Sequence, residues 1–172
     1  ILNYSRKFST PQNKVLKELE RETQYKVLMP RMMSGHLMGS FLQFISKMMK
    51  PTYILEIGTY TGYSAICLAS GLEEGGELHT IEINQELEDF SSKYFKKAKL
   101  DDKIIMHIGD ARDIIPNFTH TFDIVFIDAD KKNYCLYYEL ALKKIKKGSY
   151  IIIDNVLWSG KVLETAKTND VE

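Results

Sequence analysis

The chain predicts a doubly wound α/β fold with a mostly parallel sheet, and three observations carry that prediction. Short apolar runs rich in β-branched residues recur at 53–57, 78–83, 104–108, 123–128 and 149–154. They lack the strict alternation of a half-solvated sheet, as strands covered on both faces do. Helical patterns separate them at about 63–72, 85–99, 111–115 (a single turn) and 131–147, and strands alternating with helices favour right-handed parallel crossovers.

The first ten residues are polar and without period, and read as a loose arm. Thr10 followed by Pro11 reads as a cap with proline at the first helical position. Val15, Leu16, Leu19, Val27 and Leu28 then outline an amphipathic helix that ends before Pro30. After a connector over 31–36, Leu37, Met38, Phe41, Leu42, Ile45, Met48 and Met49 mark a second helix stopped by Pro51. No repeat, low-complexity tract or linker interrupts the chain, so it reads as one domain with N-terminal helices over 1–50 and an α/β core over 51–172.

Composition narrows the function classes. The 172 residues are 44% hydrophobic and 27% charged, with a formal net charge of zero. That balance suits a globular domain and supplies no field to gather a nucleic acid. No apolar run nears the roughly 18 residues of a membrane span. The chain opens on Ile1, as expected of a trimmed chain, and shows no signal-peptide pattern. Cys67 and Cys135 lie far apart in helical patterns; they read as buried thiols of a reduced, cytoplasmic protein.

The ends of the strands carry the chemistry. The first strand runs into Glu56-x-Gly58-x-x-x-Gly62 and a helix start. Glycines there let a nucleotide-like ligand approach the backbone, and a helix N-terminus offers free N–H groups. The loop lacks the Gly-x-Gly-x-x-Gly of a dehydrogenase. Glu82 ends the second strand, where its carboxylate either accepts from both hydroxyls of a ribose or caps the helix following Asn84. The third strand ends in Gly109-Asp110-Ala111, a turn suited to an adenine in which Asp110 also serves as N-cap. The fourth and fifth strands end in Asp128-Ala129-Asp130-Lys131 and Asp154-Asn155. Paired strands lie about 4.8 Å apart, so Asp128, Asp154 and Asn155 would converge as hard oxygen ligands for magnesium, manganese or calcium. The competing reading makes Asp154-Asn155 a plain turn. His36, His79, His107 and His120 share no ligand spacing and read as structural or surface residues. Lys143, Lys144, Lys146 and Lys147 read as a helix C-terminus suited to the dipole, and Met32, Met33, Met38, Met48 and Met49 as core.

Three stretches together resemble the metal-dependent class I O-methyltransferases that use S-adenosylmethionine, the group of caffeoyl-CoA and catechol O-methyltransferases. They are Leu55 to Ser64 (LEIGTYTGYS), Phe126 to Tyr134 (FIDADKKNY) and Asp154 to Val162 (DNVLWSGKV), and the likeness runs from about Met32 to Val162. The resemblance implies a Rossmann-like fold. It also implies a cofactor site of Ser34, Glu56, Gly58, Thr59, Ser64, Glu82, Gly109, Asp110, Ala111 and Asp128. The implied metal ligands are Asp128, Asp154 and Asn155, with Lys131 as general base beside Asp128. Tyr60, Tyr63 and Trp158 are candidates for walls. The expected function is transfer of a methyl group to a hydroxyl of a small catechol-like acceptor held by a divalent cation, with magnesium expected. The open alternatives are a metal-independent methyltransferase and a cofactor-binding protein without turnover. The resemblance also implies a homodimer, and a longer family chain whose further strands would cover the fifth strand, an apolar edge at 150–153.

Overall fold

A computed structural model describes residues 2–163. Helices α1 (Leu2–Phe8), α2 (Lys14–Lys26) and α3 (Gly35–Met49) precede β1 (Tyr53–Ile57). There follow α4 (Tyr63–Ala69), β2 (Glu77–Glu82), α5 (Glu88–Ala98), β3 (Ile104–Ile108), α6 (Ala111–Ile114), β4 (Phe122–Ile127), α7 (Tyr134–Leu142) and β5 (Ile145–Ile153). All strand pairs are parallel, in the order β3-β2-β1-β4-β5. The order reverses between β1 and β4, and an open sheet of this kind leaves its ligand crevice beyond the carboxyl ends at that switch point.

Side-chain alternation along the strands splits the core into two layers. Ile54, Leu78, Ile104, Ile124 and Phe126 face Leu19, Leu42, Leu68, Tyr94 and Phe95 from α2–α5. Leu55, Ile57, Ile81, Val125 and Ile127 face Ala111, Ile115, Tyr137 and Ala141 on the α6–α7 side. The central pair has no solvent-facing side, which explains why β1 and β4 read as continuous apolar runs.

Several expectations need correction. The N-terminal arm is not loose: Leu2–Phe8 is helical and packs against α3. Asn13, not Thr10, caps α2, its Oδ1 accepting from the Leu16 N–H at 2.8 Å. The helix expected over 131–147 begins with a 3-10 turn at Lys131–Asn133 and ends at Leu142. Lys146 and Lys147 therefore lie in β5, and Lys144 Nζ donates to the carbonyls of Pro116 and Phe118. The four lysines do not form one helix-end cluster. The β5 register shifts opposite Phe122–Ile124, and Tyr150 on this outer strand is exposed. Cys67 is buried but Cys135 is exposed, and both are free thiols. No described helix is long and apolar enough to cross a membrane.

Candidate active site

The β1–α4 loop is fastened to both neighbouring strands. Gly58 N–H and Thr59 N–H donate to the Ile81 carbonyl at 3.0 and 3.2 Å, and Asp128 N–H donates to the Ile57 carbonyl at 3.0 Å. The loop lies so tightly against the end of β4 that a Cβ on Gly58, whose φ is +101°, would sit 2.0 Å from the Asp128 carbonyl oxygen. Tyr60 adopts a left-handed φ of 49°, an uncommon state for a bulky residue that the surroundings must enforce. Its N–H donates to Glu82 Oε2 at 2.7 Å, while Glu82 Oε1 accepts from Asn84 N–H at 2.9 Å. Glu82 thus organises two turns and faces the cleft, while the cap of the following turn is Asn84 itself, whose Oδ1 accepts from the Glu86 N–H at 3.0 Å.

That cleft opens at the carboxyl edge of the sheet. Ser34, Gly58, Thr59, Ser64, Glu82, Gly109, Ala111 and Asp128 all line it. Two residues expected beside them stand elsewhere. Glu56 is fully buried beneath the cleft, its Oε2 accepting from the Thr80 hydroxyl at 2.6 Å. Asp110 caps α6 through the Arg112 N–H at 2.8 Å and forms an ion pair with the Arg112 guanidinium; Gly109 and Ala111 alone bring its turn to the cleft. Lys131, Asp154 and Asn155 sit outside the lining, beside Asp128. Tyr60 and Tyr63 are wall residues. The side chain of Trp158 lies outside the described residues.

The cleft also contains residues that sequence patterning misassigned or missed. Met32 and Met33, read as core, line it, and Met32 is largely exposed; Pro30–Met32 forms a 3-10 turn ahead of α3 that turns them toward the cleft. Thr61 contributes a buried hydroxyl with no hydrogen-bond partner. Asp130 and Tyr137 close the far wall, joined by a 2.6 Å hydrogen bond from the phenol. Asp130 was visible in the FIDADK stretch, whereas Tyr137 required the pitch of α7. Three of the histidines are not scattered: His79, His107 and His120 form one group at the opposite sheet end, while His36 is half-buried and lies 2.8 Å from the Thr10 carbonyl.

The electrostatics single out two acids. Burial pushes Glu56 up to about 8, with Asp128 and Glu82 adding to the rise and the Thr80 hydroxyl opposing it. Asp128 is raised to about 6, first by burial and then by Asp154, with Asn155 and Lys131 opposing. Tyr134 is pushed up to about 12 by burial and by the carboxylates of Asp128, Asp154 and Asp130. Negative charge is thus in excess where β4 and β5 end, an environment that favours a cation. The register explains the convergence: Phe126 pairs with Ile152 and Ile127 with Ile153, so Asp128 and Asp154 leave the sheet side by side. Asn155, at a left-handed φ of 59°, sends its amide to within 3.4 Å of Asp128 Oδ1. Which end of an amide points inward is assigned from the network, and its oxygen completes a hard donor set with the two carboxylates. These residues fit magnesium, manganese or calcium. The cleft fits a ligand with a ribose and a polar amino-acid group, given Glu82 and the free hydroxyls of Ser34 and Thr61.

Comparison with known proteins agrees with this geometry. Residues 6–171 match the O-methyltransferase family. The chain is 33% identical to a caffeoyl-CoA O-methyltransferase of Stellaria longipes, over 86% of this chain and 63% of that protein. It is 35% identical to a catechol O-methyltransferase of Niastella koreensis, over 81% and 65%. It thus spans a little under two thirds of those two relatives. The structure of an O-methyltransferase from Bacillus cereus in complex with SAH superposes with a TM-score of 0.91 at 33% identity, over 98% of this chain and 78% of that one. TomG of Streptomyces achromogenes, in complex with SAM, gives 0.90 at 28% identity, over 98% and 77%. This chain belongs to the O-methyltransferase family.

Proposed function

We propose that the protein is an S-adenosylmethionine-dependent O-methyltransferase that uses a divalent cation, magnesium foremost, and methylates a hydroxyl of a small catechol-like acceptor. The observation that carries the reading is the placement of Glu82 and Asp128 in one cleft, with Asp154 and Asn155 beside Asp128 on its rim. The names of the relatives, which include caffeoyl-CoA and catechol O-methyltransferases, and the SAM- and SAH-bound neighbours support it.

In this reading Glu82 accepts from the ribose hydroxyls, and Ser34, Thr59 and Ser64 orient the amino-acid portion of the donor, with Gly58 allowing close approach. Gly109 and Ala111 bound the adenine. Asp128, Asp154 and Asn155 would hold the cation. When bound, the cofactor supplies the methyl group and the cation supplies Lewis acidity toward the acceptor oxygen. Lys131, on the rim beside Asp128, would act as general base in its neutral amine form, its Nζ lone pair taking the acceptor's hydroxyl proton and becoming the ammonium. Met32, Met33 and Tyr60 exclude water from the reacting oxygen, so that positioning contributes much of the rate. Exposed Phe41, Phe44 and Met48 on α3 support a homodimer. The reading places the enzyme in the cytoplasm, with neither nucleic acid nor membrane as partner.

The test is transfer of a labelled methyl group to a panel of diphenols with magnesium and with chelator. Wild type is expected to turn over only with the cation. Asp154→Ala should lower turnover by about 100-fold or more while calorimetric affinity for S-adenosylhomocysteine stays within about threefold. Equal turnover in chelator would remove the metal from the reading, and absence of cofactor binding would remove the reading altogether.

A further inference from the structure

The amino end of the same sheet holds a second constellation with no part in methyl transfer. Alternation along β2 sends Glu77 and His79 to the α6–α7 face. The parallel pairing of Ile81 with His107 places His107 on that face of β3, and His120 enters from the loop before Phe122. One ligand atom each from Glu77, His79 and His120 lies within 4.8 Å of the others. We propose that these three residues bind a divalent transition-metal ion of the zinc class, at a site separate from the oxygen ligands at the carboxyl edge.

His79 is the centre of the argument. It is only 5% exposed, and its Nε2 has no hydrogen-bond partner; the nearest charged atom is Glu77 Oε2 at 3.4 Å. Its other nitrogen, Nδ1, lies 3.0 Å from His107 Nε2. A ligating imidazole is built in this way: one nitrogen is held by a partner outside the ligand set, which fixes the tautomer and aims the other nitrogen at the metal. With Nδ1–H donating to His107, Nε2 presents a lone pair toward a carboxylate, an arrangement that a cation between them resolves.

The surroundings suit such an ion. Tyr53 stacks on His120 at 4.5 Å, and Phe118 and Phe122 present their edges to His79, forming an apolar shell around the nitrogens. Glu77 is partly exposed and gives the site a mouth. Two imidazoles and a carboxylate are the donor class of zinc, cobalt, nickel and copper rather than of magnesium or calcium. Three protein ligands leave a fourth position to water. Zinc–nitrogen bonds of about 2.0–2.1 Å require ligand atoms roughly 3.3 Å apart in a tetrahedron, a closure of the 4.8 Å spread that rotation of Glu77 and His120 can provide.

The experiment is calorimetric titration of chelator-treated protein with zinc chloride, repeated with cobalt chloride and read by visible absorption. Wild type should bind one equivalent with micromolar or tighter affinity, and saturating zinc should raise the melting temperature by roughly 5–10 °C. Cobalt should give the intense bands of a four-coordinate site. Binding should persist in Asp154→Ala, which removes an oxygen ligand at the other edge. It should weaken at least about 30-fold in His120→Ala and in His79→Gln. Should His79→Gln fold poorly, His120→Ala, at a partly exposed loop position, decides alone. Absence of saturable binding, or binding abolished by Asp154→Ala and indifferent to His120→Ala, overturns the site and leaves His79 Nε2–H facing Glu77 as an ordinary polar contact. Because the readouts are binding and melting, failure here leaves the methyltransferase reading untouched.

Discussion

Strand β4 is flanked by a carboxylate at each end: Asp123 near its start and Asp128 just past its finish. At the amino end, Asp123 Oδ2 accepts the N–H groups of Thr52 and Tyr53 at 2.8 and 3.1 Å, and Oδ1 meets Lys146 Nζ at 2.8 Å. Burial alone would raise this acid, but Lys146 and the two amides outweigh it and hold Asp123 below the usual carboxylate range. At the carboxyl end, Asp128 is half-buried beside another carboxylate, relieved among the described residues by a long amide contact and a nearby lysine, and it rises to about 6. The two differ in how many donors the fold supplies. A carboxylate given its full set of donors ties strands together; one denied them is held ready for a cation or a ligand.

The largest effect should come from the well-supplied end. Asp123→Ala removes three interactions and strands two backbone N–H groups at the start of β1, at a cost of about 2 kcal/mol. The melting temperature should fall by roughly 4–8 °C, and an unchanged melt would show that water replaces those contacts. A smaller effect of opposite sign is expected at the other end. Asp128→Asn, in chelator at pH 7.5, should raise the melting temperature by roughly 2–4 °C, or about 1 kcal/mol. The sign follows from linkage. The native state holds the Asp128 proton more tightly than the unfolded chain, so that contribution is complete below the ordinary value of 3.8 and is lost as pH rises through about 6. Asparagine carries no such loss, so its advantage should shrink as the pH is lowered from 7.5 toward 4. A variant less stable than wild type at pH 7.5 would mean that Asp128 is satisfied after all.

The carboxyl end was the legible one. Its acids and glycines sit at strand ends in contiguous stretches, so Glu82, Asp128, Asp154 and Asn155 could be placed from strand boundaries to within one residue. The amino end was not legible, because His79, His107 and His120 are brought together only by the parallel register of β2 with β3 and by the loop entering β4. No sequence spacing encodes that; the one local signal was Glu77 and His79 two residues apart on one strand face. β5 was read four residues short for a related reason. Ile145-Lys146-Lys147-Gly148 is polar and mostly exposed at the start of the strand, and it mimics the basic end of a helix. Likewise Glu56 shared a motif with Gly58, yet strand alternation turns it beneath the cleft rather than into it.

Lys146→Ala should have the smallest effect and sharpens the comparison most. Lys146 is 57% exposed while Asp123 is 16% exposed, and a pair with one partner in solvent gains little over hydration and is screened by salt. The expected loss is about 0.5 kcal/mol, a shift of roughly 1–2 °C in the melting temperature that vanishes in concentrated salt. The Thr52 and Tyr53 amides remain in the variant, and they alone should keep Asp123 ionised and β1 docked against β4. If Lys146→Ala instead costs as much as Asp123→Ala, then ion pairing rather than backbone donation separates the two ends of β4. In that case a lysine introduced beside Asp128 should stabilise the metal-free protein as effectively as Asp128→Asn does.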